Sequence, residues 1–275
     1  MTSLRLLGVR RKRDYSPNHV TSDLQIITMT AERLRAMGAE VDMCEEGEDI
    51  PDAGRYDAIF SMAQGPEGNE KLLPYSRAGA LIINSPESVM NCYRTSMITL
   101  LFNNGIPFPK SRIIATRSAT ERTFIEFNRG KVWIKRGDVH AIHKEDVILA
   151  YSTSEKLDVM REFSERGIES AVIQEHIDGD TVKFYGIRES EFFHWYYVNG
   201  VYHSPFDQSA LYRLAQKSAQ TLGLFVFGGD AIIAPNGGIT IIDINDWPSF
   251  SPVREPASRN IASLLYRKVK DYVRY

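Results

Sequence analysis

The feature that most constrains this chain is a pair of apolar segments near the C-terminus that carry acidic and amide side chains. Asp230 stands in the first segment, and Asp243 and Asn245 stand in the second, thirteen and fifteen positions further along. Glycines at 237 and 238 separate the segments, so the pattern predicts two strands joined as a hairpin. Side chains two positions apart project from the same face of a strand, so Asp243 and Asn245 share a face that Asp230 can reach from the neighbouring strand.

Two carboxylates and an amide carbonyl that converge in this way are hard oxygen ligands. Such a set suits Mg²⁺, which proteins usually hold through one or two carboxylates together with substrate phosphates. The alternative is a hairpin with solvated polar residues. We predict a metal site formed by Asp230, Asp243 and Asn245.

Composition excludes several classes of protein. The chain has 275 residues, 43% hydrophobic and 25% charged, as expected of a soluble globular protein, and its net charge of −2 gives no general attraction to nucleic acid. No apolar run approaches the ~20 residues needed to span a bilayer. Cys44 and Cys92 are too far apart to suggest a disulfide framework or a metal site. We expect a cytoplasmic protein with no nucleic-acid or membrane partner.

The first third of the chain has the pattern of an α/β unit. Buried strands are predicted at 4–9, 40–44, 57–62 and 80–83, with a helix at 22–37 that Ser22 caps and Gly38 ends. Short links between these elements favour parallel pairing.

The pattern then changes to mixed α+β. A helix at 86–104 begins with Ser85-Pro86, and strands are predicted at 111–115, 131–135, 146–151 and 170–175, with helices at 119–128 and 153–166. Later elements are strands at 180–188 and 191–198, a helix at 208–222, the hairpin and a last helix at 255–271. Short hairpins favour an antiparallel sheet after residue 180.

Several polar residues lie where apolar strands end. Lys135 ends the strand before it and can bind phosphate as a point charge, although a solvated strand end is the commoner case. Residues 172–177 run from apolar to polar, exposing backbone groups that suit the edge of an adenine ring. Asp178 or Asp180 could then bind ribose hydroxyls, the alternative being a simple turn. Lys183 could neutralise a transferring phosphoryl group.

Other basic residues are weaker candidates. Arg94 opens a helix and could reach a phosphate, and His140 is a candidate polar contact in a loop. The cluster 10–13 follows the first strand, where ligands of open α/β sheets bind, so an anionic substrate there is one reading and a solvated loop is the other.

Taken in order, these segments resemble the ATP-grasp superfamily. The resemblance covers about 84–250 and implies an α/β plus α+β fold, with a pre-ATP-grasp α/β domain at 1–84 and a two-lobed ATP-grasp domain at 85–275. The smaller ATP-binding lobe would cover about 112–178 and the metal-binding lobe 179–275.

The resemblance implies roles for individual residues. ATP would be bound by Lys135, Gln174, Glu175, His176, Ile177, Asp180, Lys183 and Ile242, and two Mg²⁺ ions by Asp230, Asp243 and Asn245. The catalytic side chains would be Lys183, Arg94 and His140. Weaker candidates for the substrate site are Arg11, Arg13, Arg188, Ser249, Ser251 and Arg254.

Two groups within the superfamily are similar to this chain. The segment Gly105-Ile106-Pro107-Phe108-Pro109 and Gln174-Glu175 resemble the ribosomal-protein-S6-modification and glutathione-synthetase group, which are carboxylate–amine ligases. The final segment, from Phe227 to Phe250, resembles the inositol 1,3,4-trisphosphate 5/6-kinases, but 59–64 contains none of the lysines that bind substrate phosphates there.

Three hypotheses follow from the resemblance. The first is a Mg²⁺- and ATP-dependent ligase acting on a small-molecule or peptide carboxylate through an acyl phosphate. The second is a kinase of an inositol-like polyol, and the third is an ATP-binding sensor without catalysis. The oligomeric state is open, with a homodimer as one alternative.

Overall fold

In the part of the chain that the structure describes, three four-stranded sheets form the framework. The computed structural model describes residues 3–16, 19–50, 53–127, 130–139, 143–198 and 203–272. Within these ranges, no helix is both long enough and apolar enough to cross a membrane.

The first sheet is parallel, as predicted. Its strands are β1 (Arg5–Arg10), β2 (Glu40–Glu45), β3 (Ala58–Ser61) and β4 (Ile82–Ile83), in the order β2-β1-β3-β4. Helix α1 (Val20–Ala36) begins after His19, so the predicted cap at Ser22 is wrong, whereas Gly38 follows the helix end at a φ of 89° as expected.

Helix α2 (Pro66–Arg77) lies between β3 and β4 and was not predicted. It is largely polar and buries only Gly68, Asn69 and Leu72, so it lacks a continuous apolar stripe that would reveal it in the sequence. Pro66 in its first turn is the one local signal of a helix start.

The predicted helix at 86–104 is two helices. Helix α3 (Pro86–Asn91) starts as predicted, because the Ser85 hydroxyl accepts a hydrogen bond from the backbone N–H of Ser88. Helix α4 (Arg94–Asn103) starts afresh after Tyr93, whose backbone is extended. The break places Arg94 in the first turn of a helix, with its side chain buried.

The second sheet is antiparallel. It contains β5 (Ser111–Ala115), β6 (Val132–Arg136), β7 (Val147–Ala150) and β8 (Ser170–Glu175), in the order β5-β8-β6-β7, and α5 (Thr153–Glu165) packs beside β7. The predicted helix at 119–128 is a run of 3₁₀ turns, Glu121–Phe127.

The third sheet is also antiparallel and includes the predicted hairpin. Its strands are β9 (Asp180–Ile187), β10 (Phe193–Tyr197), β11 (Val226–Ile233) and β12 (Ile239–Asp246), in the order β10-β9-β11-β12. Helix α6 (Gln208–Leu222) packs on β12 and β9, and α7 (Arg254–Tyr272) returns to pack on α1.

The first and third sheets share one apolar core. Buried side chains of α1 and β1 lie in the same cluster as Tyr185, Val226 and Trp247 of the third sheet and its following turn, together with the buried face of α7. The second sheet has a separate core, formed by its own strands and α5. The boundaries at residues 84 and 178 remain predictions.

Candidate functional site

The predicted metal ligands lie together on β11 and β12. Asp230 and Asp243 are direct cross-strand partners, and Asn245 lies two positions further along β12, opposite Gly228. A side chain at Gly229 would place a Cβ 2.4 Å from the carbonyl oxygen of Asp243, so glycine there lets the two strands approach. The hairpin therefore presents both carboxylates and the amide to one side of the sheet.

Three basic side chains surround the carboxylates. The ammonium of Lys183 on β9 lies 2.7 Å from Oδ1 and 3.0 Å from Oδ2 of Asp230. A guanidinium nitrogen of Arg94 lies 3.9 Å from a carboxylate oxygen of Asp243, and Lys135, at the end of β6, is buried nearby. The positive charges near the two carboxylates thus come from three separate elements, β9, α4 and β6.

Burial shifts the pKa values of these groups. It raises the pKa of Asp230, which the ammonium of Lys183 opposes. Burial alone would lower the pKa of Lys183, but the charge and hydrogen bond of Asp230, together with the charge of Asp243, outweigh burial and the net shift is upward. Burial lowers the pKa of Lys135 to about 8, against the opposing charge of Asp243.

The donor set fits Mg²⁺. Two ionisable carboxylates and one amide oxygen are hard ligands, and their few oxygens leave room for phosphate oxygens and water, which Mg²⁺ usually keeps. Among the described residues there is no group of three or more His, Cys, Asp or Glu that could hold a metal. Any ion held here would therefore depend on Asn245 and on a phosphate-bearing ligand as well as on the two acids.

A cavity of about 320 Å³ lies between the second and third sheets. It is lined by six of the residues predicted to bind ATP, namely Lys135, Gln174, Glu175, His176, Ile177 and Ile242, and also by Arg94, Asp230 and Asp243. Their contacts with a nucleotide remain predictions. Its apolar walls include Val147, Ile177 and Ile232.

Trp133 also lines this cavity and was not predicted as a site residue. Its indole N–H donates to Nδ1 of His176 at 3.1 Å, which leaves the proton of the neutral ring on Nε2, 3.1 Å from the carboxylate of Asp178. Trp133 precedes Lys135 by two positions on β6, so the alternation of the strand could have placed it on the same face. Thr181 lies two positions from Lys183 on β9, and Ile232 lies two positions from Asp230 on β11. Both also line the cavity.

Asp180 does not lie with the lining side chains of this cavity. It is buried and accepts a 2.6 Å hydrogen bond from the backbone N–H of Ser204, which lowers its pKa. Asp178, the other candidate for ribose, is exposed and pairs with Lys131 at 3.1 Å. The ribose contact of Asp180 remains a prediction that this geometry does not favour.

A second cavity of about 260 Å³ opens between the first and third sheets. Arg94 and Asp243 line both cavities, so the two cavities meet at these residues. The second cavity is also lined by Lys183, Asn245 and the predicted substrate residues Arg11 and Ser249. The sequence predicted no role for its other polar and aromatic lining residues, which are Tyr15, Ser16, His19, Asp23, Gln64, Tyr185 and Asp246. Most of these unpredicted residues follow strands of the first sheet in loops whose spacing carries no motif.

The other predicted substrate residues lie apart from this cavity in the described structure. Arg13 lines a smaller pocket beside Arg10. The guanidinium of Arg188 lies 4.2 Å from the centre of the Phe225 ring. Arg254 donates to Ser251 at 3.0 Å at the start of α7. Their roles remain predictions, and His140 lies outside the described residues.

Similarity to known proteins is found in structure alone. No family model matches the chain, and no curated protein matches it in sequence. D-alanyl-alanine synthetase A from Vibrio cholerae O1 biovar eltor is similar with a TM-score of 0.75 and 11% identity, over 100% of both chains. An ATP-grasp RimK domain protein from Sphaerobacter thermophilus gives 0.70 and 17% identity, over 94% of this chain and 98% of that one.

The chain has the ATP-grasp fold. D-cycloserine synthetase DcsG is also similar, with a TM-score of 0.70 and 15% identity, over 96% of this chain and 99% of that one. These matches confirm the predicted fold class, because they run over nearly the whole of the chain. At such low identities the likeness extends to the fold and not to the reaction.

Proposed function

We propose that this ATP-grasp chain is a Mg²⁺- and ATP-dependent ligase that joins a carboxylate to an amine through an acyl phosphate. The observation that carries the proposal is the meeting of the two cavities at Arg94 and Asp243. A nucleotide in the first cavity would direct its terminal phosphate towards these residues. A second substrate in the neighbouring cavity would then face that phosphate, which is the arrangement that phosphoryl transfer requires.

The side chains at the junction have complementary roles. Lys135, Lys183 and Arg94 would neutralise the charge of the phosphate oxygens. Asp230, Asp243 and Asn245 would hold two Mg²⁺ ions, which neutralise the β- and γ-phosphates and favour displacement at phosphorus. The backbone of 174–177 and the apolar walls would hold adenine.

The proposed reaction has two steps. A carboxylate oxygen of the substrate attacks the γ-phosphorus, the bond from that phosphorus to the bridging oxygen breaks, and ADP leaves. The amine then attacks the acyl carbon, inorganic phosphate leaves, and the amine loses a proton. The chain contributes position and charge balance in both steps.

A kinase acting on a polyol is the second candidate, since it shares the first transfer. The charges of the second cavity favour it less when the polyol is polyphosphorylated. Arg11 pairs with Asp23 at 3.0 Å, Lys183 with Asp230 at 2.7 Å, and Arg94 lies 3.9 Å from Asp243. Substrate phosphates would have to compete with these acids for each cation.

The ligase is tested by trapping the activated carboxylate. The protein is incubated with Mg-ATP, hydroxylamine and pools of amino acids, other carboxylates and polyols. Hydroxamate, free phosphate and phosphorylated polyols are measured, and ATP binding is measured separately by calorimetry. A ligase forms both in equal amounts with some pools. A phosphorylated polyol without hydroxamate would instead establish the kinase, and binding of ATP without turnover of any pool would establish the sensor.

A further inference from the structure

The end of strand β12 is held by the first sheet through one arginine. Arg11 directly follows β1, and its side chain is only 8% exposed. One of its terminal nitrogens donates to the carbonyl of Asp246 at 3.3 Å and to that of Trp247 at 3.1 Å. Its Nε donates to the carbonyl of Met62, beyond β3, at 3.2 Å. A single side chain thus joins two strand ends of the first sheet to the residues that follow Asn245.

Acidic side chains fix the guanidinium in this place. The other terminal nitrogen of Arg11 lies 3.0 Å from a carboxylate oxygen of Asp23 on α1. The nitrogen that donates to the two carbonyls lies 3.7 Å from a carboxylate oxygen of Asp246. Asp246 also accepts a 3.2 Å hydrogen bond from the side-chain amide of Gln64. These contacts are made inside the protein, which gives Arg11 a role other than the predicted substrate contact.

The backbone after β12 has a conformation that needs such support. Trp247 has a φ of 30°, on the positive side that residues other than glycine rarely adopt. Its ring is fully buried and stacks on Phe60 of β3, with ring centres 6.3 Å apart. Hydrogen bonds to the carbonyls on either side of this turn hold it against the first sheet.

We propose that Arg11 is a positioning residue for the metal site. By fixing the carbonyls of Asp246 and Trp247, it holds the backbone next to Asn245 and keeps the amide of Asn245 beside Asp243. This inference rests on the proposed function, because it assumes that Asn245 is a metal ligand. Its physical basis is the planar fork of arginine, which satisfies several fixed acceptors at once, whereas lysine offers a single ammonium.

The test uses Arg11→Lys, which retains the positive charge that Asp23 and Asp246 require but removes the fork. Affinity for AMP-PNP is measured by calorimetry on the full chain, with Mg²⁺ and with EDTA. We expect the affinity with Mg²⁺ to fall about tenfold, the size of effect typical of residues that orient metal ligands, and the affinity in EDTA to stay unchanged. A role in charge balance alone predicts wild-type affinity in both conditions, which would overturn the inference.

Arg33→Lys is the matched control. Arg33 also links the N-terminal and C-terminal parts of the chain: from α1 it donates a 2.9 Å hydrogen bond to the hydroxyl of Ser258 on α7. Unlike Arg11, it does not line either cavity. It should leave both affinities unchanged. If Arg11→Lys does not fold, Gln64→Met can replace it, because it removes only the hydrogen bond from the Gln64 amide to Asp246. We expect a smaller loss of AMP-PNP affinity than for Arg11→Lys, seen only with Mg²⁺. An equal loss of affinity in EDTA would contradict the proposal.

A double-mutant cycle separates this inference from the proposed function. Arg11→Lys should have little further effect in an Asn245→Ala background, because both changes act through the same ligand. Additive effects would overturn the positioning role. If Mg²⁺ does not strengthen AMP-PNP binding in the unmodified protein, the metal assignment itself fails.

Discussion

Lys135 is a buried lysine among acids, and its protonation should govern nucleotide binding. Burial lowers its pKa to about 8, although the charge of Asp243 opposes the shift. Below that pH the side chain is charged and can attract a triphosphate, and above it the side chain is neutral. A bound triphosphate raises the pKa again, so binding takes up a proton at high pH and weakens as the pH rises.

We therefore expect the affinity for AMP-PNP to fall between pH 7 and pH 9.5, by up to about tenfold per pH unit above the pKa. Lys135→Met should bind more weakly at pH 7 and lose most of this dependence. Calorimetric titrations at matched ionic strength measure both. The same slope in Lys135→Met as in the unmodified protein would assign the titration to another group.

Asp243 borders both cavities and should be indispensable for turnover. Asp243→Ala removes one of the two metal carboxylates, and we expect a loss of about 3 kcal/mol or more of transition-state stabilisation, above about 100-fold in rate. The phosphate-release assay measures it, with circular dichroism to establish that the fold is intact. Asp158→Ala, at an exposed acid on α5, is the control, and unchanged kinetics in Asp243→Ala would remove the metal assignment.

At the scale of elements, the hairpin of β11 and β12 carries the site. Its position was predictable because alternation on two apolar strands fixes which side chains share a face, and the same rule gives Lys135 on β6 and Lys183 on β9. The residues of the second cavity were not predictable in this way. Tyr15, His19 and Gln64 stand in loops or beside helix starts, where no period connects them to one another or to the hairpin.

Among the glycines of the hairpin, Gly229 has the least room for a side chain. In Gly229→Ala the new Cβ would lie 2.4 Å from the carbonyl oxygen of Asp243 and 2.5 Å from the ring of Phe184, so β12 must move. We expect a loss of at least about 2 kcal/mol in the free energy of unfolding, together with weaker Mg²⁺-dependent binding of AMP-PNP. Urea unfolding measures the first effect.

Gly238→Ala, in the turn of the same hairpin, is the comparison for Gly229→Ala. Its Cβ would lie 3.1 Å from Oδ1 of the exposed Asn236 and at an ordinary 3.8 Å from the Cβ of Ala234, and φ is not in the left-handed region. This variant should unfold close to the unmodified protein. Equal losses in the two variants would show that the close strand approach at Gly229 is not the cause.

At the scale of the whole molecule, the first and third sheets are joined into one body. Helix α7 packs on α1, and the buried side chain of Asn84 donates to the carbonyl of Val226 at 2.7 Å and accepts from the N–H groups of Phe225 and Val226. The resemblance of the motif-bearing segments to the ATP-grasp superfamily predicted that fold after an α/β unit. It could not predict this shared core, because contacts between α1 and α7 connect positions more than two hundred residues apart that no local pattern relates.

A fragment that begins at residue 85 should therefore fail to fold on its own. Without the first sheet, the buried face of α7 and the ring of Trp247 would be exposed to water. We expect no cooperative thermal transition and weak or absent binding of AMP-PNP, measured by calorimetry beside the full chain. A cooperative transition with retained binding would show that the predicted boundary at 84 separates independent folding units.

The ion pair of Lys183 and Asp230 has a consequence for how the site is filled. Both oxygens of that carboxylate already face an ammonium, at 2.7 and 3.0 Å. A free divalent cation would have to displace this ammonium and gain little, whereas a cation arriving with a triphosphate gives the ammonium new anionic oxygens to contact. On the proposed function, the nucleotide-free protein should therefore bind free Mg²⁺ only weakly, and Mg²⁺ should enter the site as its complex with the nucleotide.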